Sequence, residues 1–585
     1  MRSSKNGWRN MAFEANYHRI ACLWLMILTV VSTFSNSFAQ NLQGFRGQKP
    51  FEINGSLSAS LQFYTVDGIA SRRQPFTWFL TGSPVMKLYG MTFPFSFTVS
   101  EQERRFSQPF NQYGVSPSYK WIKLHLGYRN VRFSDYTLAG ANFLGAGIEL
   151  NPGKFRAGFV YGRFARAVQE DSSSTDPRYR YLRPSYKRIG MAGKLGYGGK
   201  KAFIDVSAFG ARDVIGSIPT PSLRSRITPM ENLAIGIKNH IGFLKQKLTF
   251  DLDLGASLLT RDISGYDLED PLPWQNTLLS VMAVNNSTSF FTAASASAAY
   301  SFAKIGSLRL GYQRIDPDYQ SLGAYYFQND VEQFTVSPSF SLLKNKLNVN
   351  GSYGRSHDNL NGKKLATTHR NVGSLNVNAA LIPKLSINLG YTNFGVGQSR
   401  GLGDLFNDSL AVSLVNASYS GNLSYLFGTR IQRQTVGLMV NYQNTNDQNR
   451  FTRQYTGASS FVSALNYSHS HTAAHLNGNL SLSYVTIDTY GRKMVNIGPG
   501  LSVSKEWPKQ KIRTSFTHNS QFRTTNGLRD GRVSNTGISA SMSRKKQSFS
   551  MSVNNLHNRY QSGGDAVSYR NFAEYRGTIS YGVRF

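Results

Sequence analysis

From Phe51 onward, hydrophobic and polar residues alternate in stretch after stretch. Leu248, Phe250, Leu252, Leu254, Ala256 and Leu258 interleave with Thr249, Asp251, Asp253, Gly255 and Ser257. Leu385, Ile387, Leu389 and Tyr391 interleave with Ser386, Asn388, Gly390 and Thr392, and Leu476 to Tyr484 repeats the pattern. It recurs at Leu347 to Gly354 and at Ile122, Leu124, Leu126 and Tyr128. A period of two puts successive side chains on opposite faces of a strand. Soluble sandwiches also alternate, but two details separate the cases. These segments run to about ten residues or more, enough to cross a bilayer at a tilt, whereas soluble strands usually stop near five or six. Their polar face is Asn, Ser, Thr, Gly and occasional charge, which suits a wet lumen, and their apolar face often ends in Tyr, which suits an interfacial girdle. The pattern predicts an all-β fold: a single large antiparallel transmembrane β-barrel over residues 51–585, of about 22–26 strands by the length of such segments.

Both chain ends are expected on the periplasmic side, which requires an even strand number. Short connections at Gly198-Gly199 and Ile382-Pro383 alternate with long polar ones at 168–186, 213–230, 262–288 and 397–409. The short ones are expected to face the periplasm. Pro94, lacking an N–H, predicts a bulge. Residues 40–50 leave no room for a plug domain, and none is expected.

The last segment is the sharpest local signal. Tyr575, Gly577, Ile579, Tyr581, Val583 and Phe585 form one face, and Arg576, Thr578, Ser580, Gly582 and Arg584 the other. An aromatic final residue on such a strand resembles bacterial outer-membrane barrel proteins. The resemblance implies that Tyr581, Val583 and Phe585 form a membrane-insertion signal read by the barrel-insertion machinery.

The first 39 residues read as a signal peptide. Arg2, Lys5, Arg9 and Arg19 precede the apolar run Ile20 to Val31, which is too short to span a bilayer as a helix. Ser37-Phe38-Ala39 places cleavage after Ala39. The only cysteine, Cys22, lies inside this segment, so the exported chain has no thiol for disulfide, metal or nucleophile chemistry.

Charge sharpens the reading. The formal net charge is +33. A balance so basic often means nucleic acid, but export argues against that partner. Outer-membrane lipid and lipopolysaccharide, anionic solutes and an acidic partner protein remain. Lys123, Arg129, Asp251, Asp253, Arg576 and Arg584 each stand opposite an apolar face and are candidate lumen charges. Asp251 and Asp253 read either as a cation patch or as a hydrated wall with Arg counter-charges. Arg576 and Arg584 read either as an anion bias or as partners of lumen acids across the seam.

No residue set marks an enzyme. Ser and His are present, but nothing ties one Ser to one His, and no phosphate loop, HExxH or acid/base pair appears. His469, His471 and His475 share a strand parity but surround a hairpin-like Thr472-Ala473-Ala474, so they read as turn residues. No catalytic residue, cofactor or metal is expected.

The stretches RIDPDYQSLGAYYFQND (Arg314 to Asp330), Val336 to Tyr353 and Phe133 to Gly162 resemble uncharacterised large outer-membrane β-barrel proteins of the Bacteroidota. The resemblance covers about a quarter of the chain. It implies a phylum and a compartment, the cell outer membrane, and no activity. Three functions stay open: a porin-like channel for solutes with an anion preference, a translocation conduit or surface anchor for a secreted protein or adhesin, and an outer-membrane barrel enzyme. The channel is the leading expectation.

Overall fold

The computed structural model describes residues 50–101, 112–170, 184–221, 226–266, 281–302, 305–324, 328–402, 406–560 and 571–585. The proposed export segment and parts of the longest connections, including 171–183 of the 168–186 connection, lie outside the described residues.

Nearly every described residue with alternating character lies in one antiparallel sheet. Three wall strands are interrupted: Phe51–Asn54 continues as Ser56–Asp67, Phe76–Gly82 as Val85–Leu88, and Gln112–Val115 as Ser118–Tyr119. Counting each as one gives 26 strands, even and at the top of the expected range. The sheet closes on itself. Ser56–Asp67 pairs with the last strand, Phe572–Arg584, from Ser56↔Arg584 to Asp67↔Ala573. Closure pairs the first and last strands and leaves neither as an edge open to hydrocarbon. With strands about 4.8 Å apart and tilted about 40°, 26 of them make a perimeter of roughly 160 Å.

The outer face is apolar. Ile204, Val206, Ile235, Ile237, Leu252, Leu254, Leu389, Leu438, Leu465, Leu480 and Tyr581 are exposed there, at alternate positions. In water this would be an aggregating surface; in a bilayer it is the solvated one.

The structure corrects the reading of Pro94. The pairs Gly82↔Phe97 and Val85↔Pro94 are three residues apart on both strands, so no residue is inserted and no bulge forms. Instead, Gly55, Ser83-Pro84, Pro94 and Ser116-Pro117 lie side by side across four strands. Their carbonyls keep the ladder connected: Pro84 O accepts from Phe95 N (2.8 Å), and Pro94 O from Ser116 N (3.0 Å). The result is a crease across the sheet with its register preserved. Gly55 can follow it because its φ is +126°.

Both described termini lie at one end. All twelve connections at that end have two to four residues; at the other end they range from two to 27. Loop length divides the wall into two arcs. A first arc of ten strands runs from Ile122–Arg132 to Val331–Leu342, with strands of 10–15 residues and long connections. A second arc of ten runs from Ala366–Ile382 to Gln547–Tyr560, with strands of 14–17 residues. Two of its hairpins at the long-loop end, Tyr490-Gly491 and Asn526-Gly527, are two-residue turns; Asn526 and Gly527 both have positive φ, as a type I′ hairpin turn requires, whereas in the first turn only Gly491 does.

Candidate functional site in the lumen

The inner face of the first arc is not the hydrated wall the alternation predicts. It carries Gly158, Val160, Phe164, Gly190, Ala192, Phe209, Ala211, Ala234, Gly236, Gly255 and Leu259 at lumenal parity. Small residues make room there, and two loops fill the room. Residues 133–138 and 316–324 fold inward against this wall. Phe133, Leu138 and Leu322 join Val160, Phe164, Phe209 and Leu259 in one buried cluster. Tyr136 and Tyr319 join Ala293, Ile315 and Val331 in a second. The fit is tight: a Cβ on Gly255 would stand 2.3 Å from Cβ of Tyr136, and one on Gly236 would stand 2.9 Å from Cγ2 of Thr137.

Polar groups of both loops are bonded to the wall and to each other. Tyr319 Oη donates to Tyr136 O (2.6 Å) and Ser321 Oγ to Thr137 O (2.5 Å). Ala139 N donates to Gly323 O (3.0 Å). On the wall, Asn232 Oδ1 accepts from Leu322 N (3.0 Å), and Ser257 Oγ donates to Gln320 O (2.7 Å). Asp253 Oδ1 accepts from Ser134 Oγ (2.7 Å) and Oδ2 from Asp135 N (3.2 Å), with Lys238 Nζ 3.6 Å away. Burial pushes the phenols of Tyr136 and Tyr319 above their usual range, so both stay protonated; Tyr136 Oη accepts from Gln313 Nε2 (3.3 Å). A buried loop backbone is tolerable only when its polar groups are met in this way.

Toward the short-turn end, below the loops, the same wall carries paired charges. His125 is buried between Ser116 Oγ (3.1 Å) and Glu149 Oε1 (2.8 Å), and Lys123 lies 3.4 Å from that carboxylate. Arg156 is 3.0 Å from Asp205 and stacks over Phe203. His240 Nδ1 lies 2.6 Å from Asp251 Oδ1. Next to this pair a recess of 540 Å³ opens in the lumen wall. Asp135, Asp251 and Asp253 line one side, and Lys238, Arg309, Gln313 and Gln333 line the rest.

Of the six candidate lumen charges, four lie on the first arc. Lys123 and Asp251 are lumenal and paired. Asp253 is not a hydrated wall residue; it is buried and fastens the 133–138 loop. Arg129 donates to Ser96 Oγ (2.6 Å) across the neighbouring wall, beside the crease. The other two lie at the seam. Arg576 pairs with Glu574 on its own strand (2.8 Å), and Arg72 reaches that buried carboxylate from the first long-end loop (3.3 Å). Arg584 ends the last strand opposite Ser56. Tyr581 faces outward between Ala59 and Phe549, Val583 pairs with Leu57, and Phe585 N donates to Gly55 O (3.1 Å). His469 and His471 lie on the outward face, and His471 Nδ1 accepts from Ala474 N (3.0 Å) within the predicted turn.

Sequence reasoning missed Asn232, Lys238, Arg309, Tyr136 and Tyr319. The available signal was compositional: Gly and Ala occupy lumenal positions where other strands carry Asn and Ser.

The second arc is lined differently. Starting on the adjoining strand Leu347–His357, Asn348, Asn378, Asn388 and Asn422 face one another across four adjacent strands, followed by rows of Ser, Thr and Asn. Among the described residues, no buried hydrophobic cluster covers this face.

The chain therefore belongs to the class of large, closed, membrane-spanning β-barrels. No protein-family model and no curated protein matches it. Among solved structures it is similar to the translocation pore of the P pilus usher PapC, at 11% identity and TM-score 0.36, over 91% of this chain and 99% of that one. It is also similar to OccAB2 of Acinetobacter baumannii, at 10% identity and TM-score 0.31, over 68% of this chain and 98% of that one. OprD of Pseudomonas aeruginosa matches at 12% identity and TM-score 0.28, over 61% and 91%.

Proposed function

We propose that the protein is an outer-membrane channel for small polar solutes, with its selectivity set on the packed arc. The carrying observation is the asymmetry of the lumen: one arc holds inward-folded loops over a recess of mixed charge, the other a wall chiefly of amides and hydroxyls. A solute passing the recess meets carboxylates, a guanidinium and amides together, which suits polyhydroxylated or zwitterionic molecules. Ionic preference is slight. On the packed arc Lys123, Arg156 and Lys238 lie within 4 Å of Glu149, Asp205 and Asp253, so much of the wall charge cancels at short range.

Reversal potentials of the purified protein in planar bilayers under a KCl gradient test this reading. Steady conductance with a chloride preference below about three-fold supports it, as nearly balanced wall charge predicts. A barrel without conductance overturns it and favours the conduit or anchor.

A further inference from the structure

The two ends of the barrel differ in charge. The twelve short connections contain 15 Lys or Arg and no Asp or Glu. Fourteen of the 15 are Lys. The connections at the other end contain 17 basic and 17 acidic residues. The excess of the connections therefore sits wholly at the short-turn rim. Lysine is also placed where geometry disfavours it: Lys120, Lys245, Lys344, Lys511 and Lys545 occupy left-handed backbone positions with φ of 51–58°. Such positions favour Gly and Asn.

These cations border the apolar band. Tyr89, Trp121, Leu244, Leu343, Ile431 and Trp507 are exposed in or beside the same turns. Lys120 Nζ lies 5.1 Å over Tyr119, and Lys505, on the strand that enters the 508–511 turn, has its Nζ 4.2 Å over Trp507. A lysine so placed lays its aliphatic stem on apolar surface and extends its ammonium outward.

We propose that the short-turn rim is a ring-shaped binding surface for the phosphate headgroups of anionic phospholipids. The ring's extent selects this partner. It passes beneath the packed and the polar arcs alike, whereas a docked protein would meet one sector and a permeating solute only inward-facing groups. The bilayer leaflet is the surface that touches every turn. Lysine fits the role as a compact, flexible point charge that needs no fixed bidentate geometry.

Electron paramagnetic resonance of spin-labelled phosphatidylglycerol and phosphatidylcholine, in vesicles holding the full exported chain, tests the inference. The ring predicts an association constant for phosphatidylglycerol at least about two-fold above that for phosphatidylcholine at low salt, falling toward parity in 1 M NaCl. Replacing Lys200, Lys201, Lys344, Lys346, Lys509, Lys511, Lys545 and Lys546 with Gln should abolish most of the preference. The same positions changed to Arg should keep it, and heat-modifiable gel mobility identifies folded barrels in both variants. Parity in the unaltered protein at low salt, or a preference that survives the Gln substitutions in a folded barrel, overturns the proposal.

Discussion

The two ten-strand arcs follow the same rule on their outer faces and opposite rules inside. On the second arc the lumenal positions are mostly Asn, Ser and Thr, the strands are long, and described loops do not cover them. On the first arc the lumenal positions beneath the loops are mostly Gly, Ala and Phe, with paired charges toward the short-turn end; the strands are short, and two loops lie on them. Strand length and lumen content are thus linked. Where chain length is spent on longer connections, these can return into the barrel, provided that the wall beneath lacks side chains and every loop amide finds a partner. The barrel fold is indifferent to the choice, because closure depends on the backbone and the outer face alone.

Gly255→Val should break the contrast most strongly. The added side chain meets Cβ of Tyr136 and Oη of Tyr319 and cannot be accommodated by rotating a terminal group. Overpacking of about 3 kcal/mol should lift both loops, read as protease cleavage within 133–138 and 316–324 while the barrel stays folded. The matched change on the polar arc, Gly500→Ala, meets chiefly the rotatable Oγ of Ser481 and should leave cleavage unchanged.

Asp253→Ala removes the acceptor of Ser134 and Asp135 and leaves Lys238 with a weaker partner. The cost should be about 2–3 kcal/mol in the denaturant midpoint of the loops, with a rise in conductance. Tyr319→Phe deletes one buried hydrogen bond and should cost about 1 kcal/mol, with packing retained.

A pH effect sharpens the border between the arcs. Asp330 accepts from Asn359 N (3.0 Å), Leu360 N (2.9 Å) and Lys364 Nζ, which straps the 358–365 loop to the edge of the packed arc. Burial raises the Asp330 carboxyl, but these bonds outweigh it and hold the group below the usual carboxylate range. The hydrogen bond to Asp330 raises Lys364 above the usual lysine range. The Asp330 contribution is present above the ordinary aspartate pKa and is lost as pH falls through its lowered folded value. The Lys364 contribution is complete below the ordinary lysine pKa and is lost as pH rises through its raised value. The strap should therefore hold from about pH 4 to about pH 10, and Asp330→Asn should expose the loop to hydrogen exchange throughout that window. The smallest effect is expected from Asn388→Ala on the polar arc, under about 0.5 kcal/mol by thermal unfolding.

The barrel was legible in the sequence because the outer face obeys a strict period of two, from Leu248–Leu258 to Tyr575–Tyr581. The outward faces of the last strand and of His469 and His471 followed from the same parity. The lumen was only half legible. Lys123 and Asp251 stand at lumenal parity, but Asp253 is a loop fastener, which alternation alone does not reveal. Phe164, Phe209 and Leu259 are apolar at lumenal parity, and each breaks the polar-inside rule that the alternation suggested. Their partners, Phe133, Leu138 and Leu322, lie in connections, where no period exists to read. Pro94 was misread because a missing N–H is accommodated equally by a crease with intact register. The charge of the short turns was visible in the composition but not assignable until the strand ends were known.

The seating of residues 133–138 on the inner wall is tested most directly by a cross-link. Apart from Cys22, the chain has no cysteine, so Thr137→Cys with Gly236→Cys reports one contact cleanly. The structure predicts that oxidation joins the pair nearly completely in the folded barrel and leaves its conductance unchanged, while Thr137→Cys with Asn388→Cys stays unlinked. A Thr137–Gly236 pair that remains reduced in the folded barrel would contradict the inward-folded loop and the division of the lumen that rests on it.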